Sequence, residues 1–222
     1  ALAIPFTLFA LFPSWLKSAP KSGSWMNNIK VVLGFIELAF SLKFLSVADL
    51  AYGWHLLGRE TFLALWIVIF GAMGMYLIGK LRFQSDVLYD ADGKLLPAKP
   101  MPVASVMLGL CSLAFAIYMV PGLWGAPCKA VSAFAPPMNT QDFNLNTKVV
   151  KAQYTDYEQG MAAAKAQGKP VLIDFTGFGC VNCRKMEAAV WTDPSVADKL
   201  TKNYVLVSLF VDDKTPLPKP IE

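Results

Sequence analysis

The stretch Asp174-Phe-Thr-Gly-Phe-Gly-Cys180-Val-Asn-Cys183-Arg-Lys-Met-Glu187 decides how this chain is read. It begins in Val171-Leu-Ile-Asp-Phe175, a short apolar run of strand character, and leads into helical spacing through Met186 and Val190. Two cysteines three apart on the first turn of a helix can close and reopen a disulfide with little backbone movement. The helix start favours a thiolate on Cys180, which makes it the attacking sulfur, and Cys183, one turn deeper, resolves the mixed disulfide. Two other readings compete. A zinc site needs four ligands, and only Cys111, Cys128 and His55 remain to supply them. A purely structural disulfide is the other, although so small a loop adds little stability.

Two carboxylates flank the pair. Asp174, six residues before Cys180, sits between apolar Ile173 and Phe175. Buried beneath the pair it would have a raised pKa and exchange a proton with the resolving thiol; on a solvated edge it would do neither. Glu187, one turn after Cys183, is open to the same two readings. Cys111 reads as an inert core thiol, Cys128 as a bystander near a membrane face, and His55 as a loop residue.

Outward from the pair, Thr155-Asp-Tyr-Glu158 fits a capping box ahead of an Ala-rich helix that Gly168-Lys-Pro170 ends. Asp193-Pro-Ser195 opens a third short helix, and Tyr204 to Val211 reads as a second apolar strand. Helices alternating with continuous apolar strands predict an α/β sheet covered on both faces.

The preceding part of the chain is of another class. Of the 222 residues 55% are hydrophobic and 16% charged, below the roughly 25% typical of soluble domains. Residues 1–128 hold 9 Lys/Arg and 6 Asp/Glu, against 11 and 10 in the rest. Thr61 to Gly79 is 19 residues without a charge, about 28 Å of helix against a hydrocarbon core of roughly 30 Å. Pro102 to Gly125 is a second such run, and Val31 to Ala48 a third, interrupted by Glu37 and Lys43. Ala1 to Leu16 reads as the end of a further span. The expectation is four spans, the first partial, in a chain that is a fragment at both ends. Seven basic residues lie in the first and third connections (Lys17, Lys21, Lys30, Lys80, Arg82, Lys94, Lys99) against Arg59 alone in the second. That asymmetry predicts cytoplasmic first and third connections and an extracytoplasmic redox segment, where disulfides persist. Glu37 and Lys43 are expected to face protein or water. The net charge of +4 is spread out, with no basic run that suggests nucleic acid.

Lys169-Pro-Val-Leu-Ile-Asp174 with Cys180-Val-Asn-Cys183 is similar to the thioredoxin superfamily. With Pro20-Lys-Ser-Gly-Ser-Trp-Met26 and the order of spans, linker and thioredoxin-like segment, the chain resembles the C-terminal half of the bacterial DsbD-type transmembrane thiol:disulfide interchange family, within the cytochrome c biogenesis transmembrane group. The resemblance implies a multi-pass helical domain over 1–128, a linker over 129–152 and an α/β thioredoxin-like domain over 153–222, incomplete at its C-terminus. It implies an inner-membrane protein-disulfide reductase whose redox domain lies in the periplasm. Electrons pass from cytoplasmic thioredoxin through a membrane cysteine pair, upstream of residue 1, to Cys180 and Cys183. From there they reach an N-terminal domain and then oxidised periplasmic proteins. Asp174 and Glu187 match the family's acidic residues beside the pair. No cofactor is called for beyond the redox-active disulfide itself. Departures are Cys111, which does not match the membrane pair, the cis-proline loop opposite the cysteines, which with the final strands and last helix would lie beyond Glu222, and Gly179 where thioredoxins commonly carry Trp. Two other functions stay open: a thioredoxin-like protein for which the helices are only a tether, and a non-enzymatic scaffold with a structural disulfide.

Overall fold

The computed structural model describes residues 24–83, 101–143, 145 and 150–216. The expected first span and half of the basic residues used for orientation (Lys17, Lys21, Lys94 and Lys99) lie outside them. Among the described residues three helices are long and apolar enough to cross a membrane, over Asn28–Ala51, Arg59–Leu77 and Val103–Trp124. They belong to α1 (Ser24–Ala51), α2 (Arg59–Leu77) and α3 (Val103–Met119), the last extended by a 3-10 turn over Val120–Trp124 that Gly125 closes at φ 95°.

Small residues let α2 and α3 meet closely. A Cβ on Gly74 would stand 2.9 Å from the Gly109 carbonyl oxygen, and one on Gly109 would stand 3.0 Å from that of Gly74. Where lipid tails are as apolar as leucine, such backbone approach supplies the packing. Polar side chains in this region bond to backbone: Ser112 donates to the Phe70 carbonyl at 2.6 Å, and Trp66 Nε1 donates to that of Ala39 at 3.1 Å. The α1–α2 turn is held by Asp49, whose carboxylate accepts the amides of Leu56 and Leu57 at 3.0 and 2.9 Å.

Residues 128–137, expected as the start of a linker, pack onto α2. Val131 and Ala135 are buried in one cluster with Phe62, Leu63 and Trp66. Arg59 fixes them: its Nη1 donates to the Pro136 carbonyl at 2.6 Å and its Nη2 to that of Pro127 at 3.1 Å.

The α/β part runs α4 (Tyr157–Gln167), β1 (Val171–Thr176), α5 (Val181–Met186) continuing as a π-helical turn over Glu187–Trp191, α6 (Pro194–Asn203) and β2 (Val205–Phe210). The helix expected through Val190 is therefore continuous, but its last turn is wider. Asp156, not Thr155, caps α4, accepting the Gln159 amide at 2.8 Å, so the expected capping box shifts by one residue. Gly168 closes that helix at φ 62°.

β1 and β2 pair in parallel, Val171 opposite Val205 through Thr176 opposite Phe210. On one face Ala164 of α4 meets Val205 and Val207, and a Cβ on Gly160 would collide with Val207. On the other, Trp191 and Leu200 cover Leu206. The expectation of cover on both faces holds for β2. It fails for β1 among the described residues, where Ile173 and Phe175 are exposed.

Candidate redox site

Cys180 ends the loop after β1 and caps α5, and its Sγ accepts the Cys183 amide at 3.3 Å. That hydrogen bond would strengthen with a charge on sulfur, so the geometry favours a Cys180 thiolate. The two cysteines form a disulfide with Cα atoms 5.3 Å apart.

Below the pair lies a buried polar cluster. Arg184, 4% exposed, donates to the hydroxyl of Thr176 at the end of β1 and pairs with Glu187 at 2.8 Å. Asp174 is half-buried, and its carboxylate accepts the Ser208 hydroxyl from β2 at 3.0 Å. Ser208 stands directly opposite Asp174 in the strand register. A cavity of about 20 Å³, the size of one water, adjoins Arg184, Glu187 and Ser208.

Burial pushes the Glu187 carboxyl up to about 7, aided by the negative field of Asp174; the Arg184 guanidinium opposes this and is outweighed. A carboxyl near neutrality can give or take a proton at physiological pH. Burial also lowers the Arg184 pKa, against the attraction of Glu187, Asp174 and Asp212.

Of the sequence candidates, Cys180 and Cys183 stand at the start of α5, Glu187 follows its last residue and pairs with Arg184, and Asp174 lies within β1. The other candidates fall elsewhere. Cys111 is not a core thiol: it is exposed, on a face of α3 that no described element covers. Cys128 is buried, and burial pushes its thiol up, which keeps it protonated. Glu37 is exposed among the described residues, while Lys43 is 8% exposed and turned into protein. His55, at φ 55°, lines a cleft between the α1–α2 turn and the redox domain.

Sequence reasoning missed Arg184, Asp212 and the contact with α1. Phe178, in the loop ahead of Cys180, stacks on Phe210 with ring centroids 4.3 Å apart and packs against Val47, Leu50 and Ala51 of α1. The Lys214 amide donates to the Ala51 carbonyl at 2.8 Å. The redox domain therefore sits at the C-terminal end of α1. A Cβ on Gly179 would lie 3.4 Å from the Val47 side chain, in ordinary contact with α1. No sequence signal marks this contact.

Residues 152–218 match the family model described as thioredoxin-like. Over 218 residues, 96% of this chain, the sequence is 30% identical to the thiol:disulfide interchange protein DsbD of Pseudoalteromonas atlantica. The chain is similar to DsbD over nearly its whole length. It is 28% identical over 93% of its length to DsbD of Vibrio vulnificus, and 26% identical over 89% to DsbD 1 of Pseudomonas aeruginosa. The chain spans about a third of the length of these DsbD relatives, 31%, 30% and 30% respectively. The likeness runs through the helical region as well as the redox domain, which supports thiol:disulfide interchange as the general chemistry.

Proposed function

We propose that this chain is the exchange end of a membrane protein-disulfide reductase, with Cys180 and Cys183 as its redox centre. The closed Cys180–Cys183 disulfide carries this reading, set at a helix start with a near-neutral carboxyl on the same helix. In the reduced protein the Cys180 thiolate attacks one sulfur of an oxidised protein, forming a mixed disulfide and releasing one substrate thiolate. The Cys183 thiolate then attacks Cys180 Sγ, closes the intramolecular disulfide and releases the second substrate thiolate. Two electrons pass to the substrate. Glu187, with Asp174 and Ser208 beside it, takes the proton from Cys183 in this step and returns it in the reverse one.

The three apolar helices span the bacterial inner membrane, with the redox domain on the periplasmic side. By the DsbD likeness, electrons reach the pair from cytoplasmic thioredoxin through a membrane cysteine pair of the whole protein. They leave to its N-terminal domain and then to oxidised periplasmic proteins.

The test is a redox titration of the chain in detergent, equilibrated in glutathione or dithiothreitol buffers, with free thiols trapped and counted. A reversible two-electron transition that Cys180→Ser abolishes is expected, at a potential more reducing than that of periplasmic oxidants. A pair that stays oxidised in strongly reducing buffer would make the disulfide structural and end this reading.

A further inference from the structure

The loop ahead of Cys180 is held by a carboxylate that neither the cysteine motif nor the flanking acids account for. Asp212 follows β2, where the Val211 amide still donates to the Thr176 carbonyl at 2.9 Å. From there its Oδ1 accepts the Phe178 amide at 2.9 Å and its Oδ2 accepts the Gly179 amide at 3.0 Å. Both oxygens are thus committed to the two amides immediately before the attacking cysteine. The approach is close enough to restrict the sequence: a Cβ on Gly177 would stand 3.0 Å from Asp212 Oδ2.

The same loop is the part of the redox domain that meets α1, through Phe178 and Gly179 against Val47. One turn before Val47 on that helix, Lys43 is buried and lies in the electrostatic field of Asp212 and of Arg184. The charged groups facing the loop are therefore Asp212 from the β2 end, Arg184 from α5 and Lys43 from α1.

We propose that Asp212 is the positioning residue of the redox loop: its charge and its two hydrogen bonds set the reactivity of Cys180, and Lys43 links that setting to the seating of the domain on α1. The inference rests on the exchange reading above. A fixed negative charge held on the amide of Gly179, the residue before Cys180, disfavours the thiolate. The reduced pair is then less stable, so its potential is more reducing. Lys43 screens that charge when the domain sits on α1, which shifts both properties the other way.

The experiment compares the full chain with its Asp212→Asn, Lys43→Met and double variants in detergent. The pH dependence of iodoacetamide alkylation gives the Cys180 pKa, and redox buffers give the potential of the pair. Asp212→Asn is expected to raise alkylation at pH 6 about three- to tenfold, with a less reducing potential. Lys43→Met is expected to lower it about two- to fivefold, an effect that disappears when Asn stands at 212. Thermal unfolding of each variant separates a changed setting from a damaged fold; if Asp212→Asn unfolds, Asp212→Glu, which keeps the charge, serves with Lys43→Met. Unchanged pKa and potential in a folded Asp212→Asn protein would overturn the proposal. A Lys43→Met effect that persists in the double variant would do the same for the link to α1. If the unaltered pair does not cycle at all, the exchange reading fails instead, which is a separate outcome.

Discussion

The helical region and the redox domain place polarity in opposite ways. On α2 and α3, large apolar side chains such as Val68, Leu108 and Ile117 face outward, the contact between the two helices is closed by glycines and a hydrogen bond to backbone, and the buried charges Lys43, Asp49 and Arg59 lie toward the α1–α2 turn. In the α/β domain the interior holds ions: Arg184 and Glu187 pair next to Thr176, and Asp174 and Ser208 lie alongside. An apolar outer face suits an apolar surrounding, and a cluster of buried titratable groups is the kind of setting in which pKa values shift. The α2–α3 contact depends on shape and the interior of the α/β domain on charge.

The largest effect expected from that contrast is at Arg184. Arg184→Met would leave Glu187 as a buried carboxylate without its partner, at a cost of about 3–5 kcal/mol above pH 7. The loss should shrink as pH falls and Glu187 takes up a proton. Urea unfolding at pH 5 and pH 8 would show it, and an equal loss at both would mean that the ion pair is not what Arg184 contributes.

A smaller effect sharpens the same point. Glu187 has a folded pKa of about 7 against an ordinary value of 4.5, so the folded state binds more protons between these two pH values. Its contribution to stability therefore falls as pH rises from 4.5 to 7, by about 3 kcal/mol in all, and is flat beyond. Glu187→Gln should remove that slope. A slope that survives the substitution would place it on another group.

The smallest effect lies in the α2–α3 contact, where the close approach is between glycine backbone and apolar side chains. Gly109→Leu overpacks the α2–α3 contact and should cost about 1–3 kcal/mol, read as a lower unfolding temperature in detergent at every pH. The potential of the cysteine pair should stay where it was. A shifted potential would show that the two regions are coupled through the helix packing and not only through the loop on α1.

Much of this was legible in the sequence because it is local. Nineteen uncharged residues in a row can only be placed in an apolar setting, and Cys-x-x-Cys after an apolar strand fixes both cysteines on one turn. The three helices, the two strands and the helix after the pair followed from such patterns, with the cap of α4 misplaced by one residue because Thr155 and Asp156 are both competent caps. Cys111 went wrong for a definite reason: helical spacing shows that it lies in an apolar run, but not which face of that helix is covered.

The sequence by itself determined the chemistry this protein can perform, since the sulfur pair, the strand before it and the flanking carboxylates are set by residues within about fifteen positions. Only the tertiary structure decided what tunes that chemistry. Arg184 is an ordinary surface-type residue until β1 and the helix bury it together. Asp212 stands 32 residues after Cys180, and Lys43 137 before it. No periodicity or spacing relates such positions; the parallel pairing of β1 with β2 and the seating of the loop on α1 bring them to one place.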